Sequence, residues 1–96
     1  MQIRWSDRPA ADLDAILSYF QETNPSAVRH THDALLSQIG SLSTLPGLGR
    51  PGRVAGSRQL VIARLPYVVA YTVEPGEDTV VILRILHGAR RWPDTL

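Results

Sequence analysis

Val80-Val81-Ile82-Leu83-Arg84-Ile85-Leu86 is almost wholly apolar and broken by one charge. A run of that kind suits a central β-strand, covered on both faces, better than an edge strand. Arg84 interrupts it. An arginine in such a strand must reach a carboxylate, a carbonyl or the open face of the sheet, so it either lines a concave site or pairs internally. The strand is expected to span 79–87, and it runs directly into His87-Gly88-Ala89-Arg90-Arg91-Trp92-Pro93, the densest polar constellation in the chain.

Two further β segments precede it, at 59–63 and 67–73. The separators, Arg64-Leu65-Pro66 and Glu74-Pro75-Gly76-Glu77-Asp78, are short, so the three strands are expected to be antiparallel neighbours. Upstream, Pro46-Gly47-Leu48-Gly49-Arg50-Pro51-Gly52 predicts a break with no regular structure before Arg53. Before the break lie two amphipathic helices. Leu13, Ile16, Leu17 and Phe20 recur at helical spacing behind Ser6, an expected N-cap, with Pro9 in the first turn and Asp12 and Asp14 on the solvated side. Asn24-Pro25 starts the second helix, whose stripe of Val28, Leu35, Ile39 and Leu42 continues to about Leu45, with His32 on the same stripe as a core or boundary residue. Gln2 to Trp5 reads as an edge strand. The order β-α-α-β-β-β predicts an α+β fold in which an N-terminal strand and an antiparallel helical hairpin pack on a mostly antiparallel sheet.

A chain of 96 residues with 44% hydrophobic and 20% charged residues predicts a single domain, 1–96, with one modest core, so a partner that covers part of its surface would add stability. The chain has no cysteine, which excludes thiolate nucleophiles, thiolate metal sites and disulfides. The three histidines lack metal-site spacing, the Gly47–Gly52 loop lacks the lysine of a phosphate loop, and nothing local activates Ser57 as a nucleophile, so neither metal nor cofactor is expected. No signal segment and no apolar run of membrane-spanning length is visible, which predicts a cytoplasmic protein without membrane contact.

Net charge is only +1, yet all ten basic residues are arginine and seven of them lie from Arg50 onward. Arginine suits bidentate contacts to carboxylate or phosphate, so this half is expected to meet an acidic protein or a nucleic acid; the alternative is a genome that simply writes arginine for lysine. Arg50, Arg53, Arg58, Arg64, Arg84, Arg90, Arg91 and Trp92 are the candidate binding residues, forming a basic face at the end of the sheet.

Several local motifs follow one another in a recognisable order: Trp5-Ser6 with Asp12-Leu13, Asn24-Pro25, Pro46 and Gly49-Arg50-Pro51, Arg53-Val54, Gly56-Ser57-Arg58, Pro66-Tyr67 with Tyr71, and Ile85-Leu86-His87-Gly88-Ala89-Arg90-Arg91-Trp92-Pro93. Over essentially its whole length the chain resembles the RelE/ParE superfamily of type II toxin–antitoxin systems, and its ending resembles the ParE branch. The resemblance implies a growth-inhibiting toxin of the plasmid-stabilisation kind, held in a hetero-oligomer by a cognate antitoxin whose acidic, amphipathic C-terminal segment wraps it. ParE-like members are associated with poisoning DNA gyrase, through a binding surface without chemistry of its own. RelE-like members cut messenger RNA on the ribosome. With Tyr67 and Tyr71 aligned, the positions of two RelE-like catalytic lysines hold Gln59 and Val61, and that of an essential arginine holds Val68. A ribonuclease site would therefore have to be rebuilt from Arg58, Arg84, His87, Arg90 and Arg91, with His87 as general acid or base. A third possibility is a non-toxic relic that only binds antitoxin.

Overall fold

The computed structural model describes residues 1–93 and 96. In chain order it contains β1 (Gln2–Trp5), α1 (Asp7–Thr23), a 3₁₀ turn (Pro25–Ala27), α2 (Val28–Gly40), a second 3₁₀ turn (Ser41–Ser43), β2 (Arg50–Pro51), β3 (Arg58–Val61), β4 (Tyr67–Glu74), a third 3₁₀ turn (Pro75–Glu77) and β5 (Thr79–His87). The five strands form one sheet in the order β1-β5-β4-β3-β2. β1 is parallel to β5 and every other pairing is antiparallel. This is the expected α+β arrangement, with β5 inside the sheet as its apolar run requires.

The core lies between the sheet and the helices. Leu35, Ile39 and Leu42 come from α2 and the turn after it, and meet Leu60, Ile62, Tyr67, Val69, Tyr71, Val80, Ile82 and Ile85 from the sheet. The β5 members of that set change phase, from Val80 and Ile82 to Ile85. A bulge is the cause: Tyr71 pairs with Ile82 but Ala70 pairs with Arg84, leaving Leu83 as the extra residue.

Several local expectations are corrected. Ser6 stands at the N-cap of α1, but its hydroxyl donates to the Ile82 carbonyl at 3.0 Å instead of capping the helix, so it ties the helix start to β5. Asp12 does not face solvent; it turns inward to the bulge. The apolar stripe of α1 is only half-buried, and Pro9 is the one buried residue of this helix. In α2 the buried stripe is Thr31, Leu35 and Ile39, so Thr31 takes the place expected of His32. His32 is a boundary residue, its Nδ1 3.0 Å from Asp33 Oδ1. The segment before Arg53 is not wholly irregular, because Arg50 and Pro51 pair with Gln59 and Arg58.

The loop between α2 and β3 is held by two side chains of the sheet. Tyr71, fully buried, donates its hydroxyl to the Pro46 carbonyl and accepts the Gly49 N–H, both at 2.8 Å. A Cβ at Gly49 would lie 2.6 Å from that hydroxyl oxygen and 2.7 Å from the Gln59 carbonyl, so only glycine fits this close approach. At the open end of β3, the Gln38 side-chain amide accepts the Ala63 N–H at 2.7 Å and donates to the Ala63 carbonyl at 3.3 Å. It stands where another strand's backbone would. No helix among the described residues is long and apolar enough to cross a membrane.

Candidate functional site

Arg84 meets both expectations set by its place in the strand: it pairs internally, and it lines a cleft. Its Nε and Nη2 donate to the two Asp12 oxygens at 2.8 and 3.0 Å, and Asp12 Oδ2 also accepts the Ile85 N–H at 2.9 Å. The side chains are 13% and 15% exposed. The bulge moves Arg84 out of the core-facing phase of Val80 and Ile82, and β1, which ends at Trp5 opposite Ile82, leaves the Ile85 N–H without a strand beside it and open to Asp12. The hydrogen bond to Asp12 raises the guanidinium pKa above its ordinary value, against a smaller opposing effect of burial.

Arg58 is also engaged. Its Nε donates to the Gly49 carbonyl at 3.0 Å and its Nη2 reaches the Gly47 carbonyl at 3.2 Å. It pairs with Tyr71 across β4, whereas His87 pairs with Tyr67. Those two β4 positions lie roughly 13 Å apart along the strand. Arg58 and His87 are thus not brought together. Arg50, Arg53 and Arg64 are exposed, the first two on the β2 side of the sheet and Arg64 in the turn before β4.

The grouping that does form is at the far end of β5. The His87 ring stands edge-on to Tyr67, with centroids 5.8 Å apart and planes at 81°. His87 Nδ1 accepts the Ala89 N–H at 3.1 Å, and the Arg90 N–H donates to the His87 carbonyl at 3.0 Å, closing a tight turn. With its Nδ1 lone pair used in this way, the neutral ring carries its proton on Nε2. Burial, and then the nearby Tyr19, raise the Tyr67 phenol pKa.

Two clefts open on either side of Arg90. One, of about 460 Å³, is walled by Ala15, Ile16, Tyr19 and Phe20 of α1 and by Pro66 and Tyr67, with Ile85 and Asp12 within it and His87 and Arg90 lining it as well. The other, of about 320 Å³, is lined by Arg84, Arg90, Arg91, Trp92 and Pro93. Arg90 and Arg91 are exposed and Trp92 is half-buried. Sequence reasoning named the basic members but missed the aromatic wall, for which the adjacent Tyr19-Phe20 pair on α1 was the available signal.

This architecture and its ending agree with a match to the family model described as the ParE toxin of the type II toxin–antitoxin system parDE, over residues 3–92. The chain belongs to the ParE toxin family. It is 33% identical to the Y4kP protein of Sinorhizobium fredii over 99% of this chain and 96% of that protein. It is 38% identical to toxin RelE2 of Caulobacter vibrioides, over 93% of this chain and 97% of the relative. Among solved structures, a chain of the chromosomal ParDE toxin–antitoxin system from P. aeruginosa matches with a TM-score of 0.80 at 30% identity, covering 91% of this chain and 95% of that one. The RelBE2 toxin–antitoxin complex from Mycobacterium tuberculosis matches less closely, with a TM-score of 0.57 at 25% identity over 90% and 95%.

Proposed function

We propose that this ParE-family protein is the growth-inhibiting half of a cytoplasmic toxin–antitoxin pair of the plasmid-stabilisation kind, which binds and poisons DNA gyrase without chemistry of its own and is neutralised in a hetero-oligomer with a cognate antitoxin. The observation that carries this reading is where the arginines are committed. A ribonuclease site must place several free cations around one phosphate. Of the residues available to rebuild one, Arg58 serves loop carbonyls and Arg84 serves Asp12. Gln59, Val61 and Val68 offer no cation. His87 spends its Nδ1 on the Ala89 N–H. What is left is an exposed group of His87, Arg90 and Arg91 beside Trp92, a composition suited to gripping a protein surface.

The test is a pair of assays on the purified chain, DNA supercoiling by gyrase and messenger-RNA cleavage on programmed ribosomes. Inhibited supercoiling or trapped cleavage complexes, with intact RNA, is the expected result; site-specific RNA cuts with unaffected gyrase would overturn it. The ribonuclease reading draws on the likeness to toxin RelE2, and in that event His87, Arg90 and Arg91 are the residues to replace first. Growth arrest on expression without antitoxin separates both readings from a non-toxic relic.

A further inference from the structure

The chain leaves β5 through a turn tied to the strand's own last side chain. The Gly88 N–H donates to the Pro66 carbonyl at 2.8 Å, the Ala89 N–H to His87 Nδ1 at 3.1 Å and the Arg90 N–H to the His87 carbonyl at 3.0 Å. Three successive backbone donors are satisfied before the chain presents the exposed side chains of Arg90 and Arg91. Two of the acceptors are carbonyls. The third, Nδ1, is the one that a proton can remove. A ring nitrogen that accepts the amide two residues on does here what an asparagine oxygen does in an Asx turn.

The titratable groups around the ring are Tyr67 on β4, Asp12 and Tyr19 on α1, and Arg90 in the turn itself. Asp12 is spent on Arg84 and the Ile85 N–H, and burial raises the Tyr67 phenol pKa, so that group stays neutral where histidines titrate. Protonation puts an N–H on both ring nitrogens. Nδ1 then faces the Ala89 N–H donor to donor, and that bond is lost.

We infer that His87 is a positioning residue: its neutral ring fastens the turn that presents Arg90 and Arg91, and acidification unfastens it. The inference rests on the reading of that group as the surface offered to the target, and adds the condition under which the surface is ordered. Arginines held in one geometry lose less freedom on binding than arginines on a loose end. The grip therefore weakens as pH falls through the range, about 5 to 8, in which histidines change charge.

Two variants of the full chain divide the properties of this side chain. His87→Asn keeps an acceptor for the Ala89 N–H but does not titrate, and His87→Phe keeps a ring beside Tyr67 but has no acceptor. His87 is exposed, so both are expected to melt with the parent protein. The first measurement is the Ala89 amide chemical shift in the free chain, followed by NMR as pH is lowered. In the parent protein it is expected to move with the His87 ring protons, with one midpoint; in His87→Asn it stays at its hydrogen-bonded position, and in His87→Phe at its unbonded one. The second is inhibition of gyrase supercoiling above the histidine range, where His87→Asn is expected to stay within about twofold of the parent protein and His87→Phe to be weaker by about fivefold. An Ala89 amide that ignores the ring titration would overturn the inference. So would a Phe variant as potent as the parent protein, which would make ring packing sufficient, or an Asn variant as weak as Phe, which would make the imidazole itself a contact. A parent protein that leaves gyrase untouched, with the amide titration and its Asn rescue as expected, would remove the gyrase reading and leave His87 as the residue that fastens the turn.

Discussion

Asp12 carries more of the structure than its place on a helix surface suggests. Its carboxylate meets the Nε–Nη2 edge of a mostly buried guanidinium and the backbone N–H of Ile85. Removing it leaves a charge and an amide unsatisfied together, so Asp12→Ala is expected to cost about 3 kcal/mol in chemical denaturation. Replacing both partners, Asp12→Leu with Arg84→Leu, is expected to recover more than half of that loss, because the uncompensated charge goes with its partner. Equal losses in the single and double variants would mean that the site cannot close over apolar side chains. Tyr67 makes a pH-dependent contribution. Burial raises its phenol pKa, so above about pH 10 the unfolded chain releases a proton that the folded one keeps, and stability falls as pH rises. Below that pH the contribution is fully present. Tyr67→Phe is expected to make the alkaline fall in melting temperature shallower, and an unchanged slope would contradict this origin.

At the level of elements, the strands were the most legible part of the sequence and the bulge the least. Thr79 to His87 was readable because its side chains are apolar on both faces, and the short separators made its antiparallel neighbours follow. The extra residue at Leu83 leaves no mark in the pattern, since Leu83, Ile85 and Leu86 are apolar in either phase; hence the sequence reads Asp12 as solvated and leaves open whether Arg84 lines a site or pairs internally. Loop residues misled for a related reason. Arg58 looks available in sequence because its partners are backbone carbonyls of Gly47 and Gly49, which no sequence pattern advertises. His87, Arg90 and Arg91 were legible as a group because they are contiguous. The turn between β3 and β4 holds its own test. Arg64 adopts φ 68°, a left-handed conformation that costs a residue with a Cβ about 1 kcal/mol relative to glycine. Arg64→Gly is expected to raise stability by up to about 1 kcal/mol, and Arg64→Val to lower it by at least as much, since a β-branched residue tolerates that region least. A less stable glycine variant would show that the Arg64 side chain supports the turn.

Across the whole molecule, stability is unevenly distributed. α2 places Leu35 and Ile39 fully inside, β4 and β5 are apolar on both faces, and α1 rests on the same core through half-exposed side chains. A helix of seventeen residues with one buried position gains little from packing, and so opens at lower cost than the elements it covers. Amide exchange in the free protein is therefore expected to be faster along α1 than along α2 or the centre of β4 and β5. Charge has a matching asymmetry: from Arg50 to Arg64, and again from Thr79 to Pro93, the chain carries arginines and no acid. An acidic partner is drawn to that side, and its association rate should fall as salt is raised toward and beyond physiological strength, where the Debye length shortens to about 8 Å and below. The two asymmetries meet at the cleft between α1 and Arg90. Binding of antitoxin is thus expected to slow exchange in α1 more than in any strand and to raise the melting temperature with antitoxin concentration, by about 2.7 kcal/mol of stability at a hundredfold excess over Kd. Protection confined to β2 and β3, with α1 exchanging as before, would place the stabilising contact on the opposite edge of the sheet and leave the open face of α1 as a property of the toxin alone.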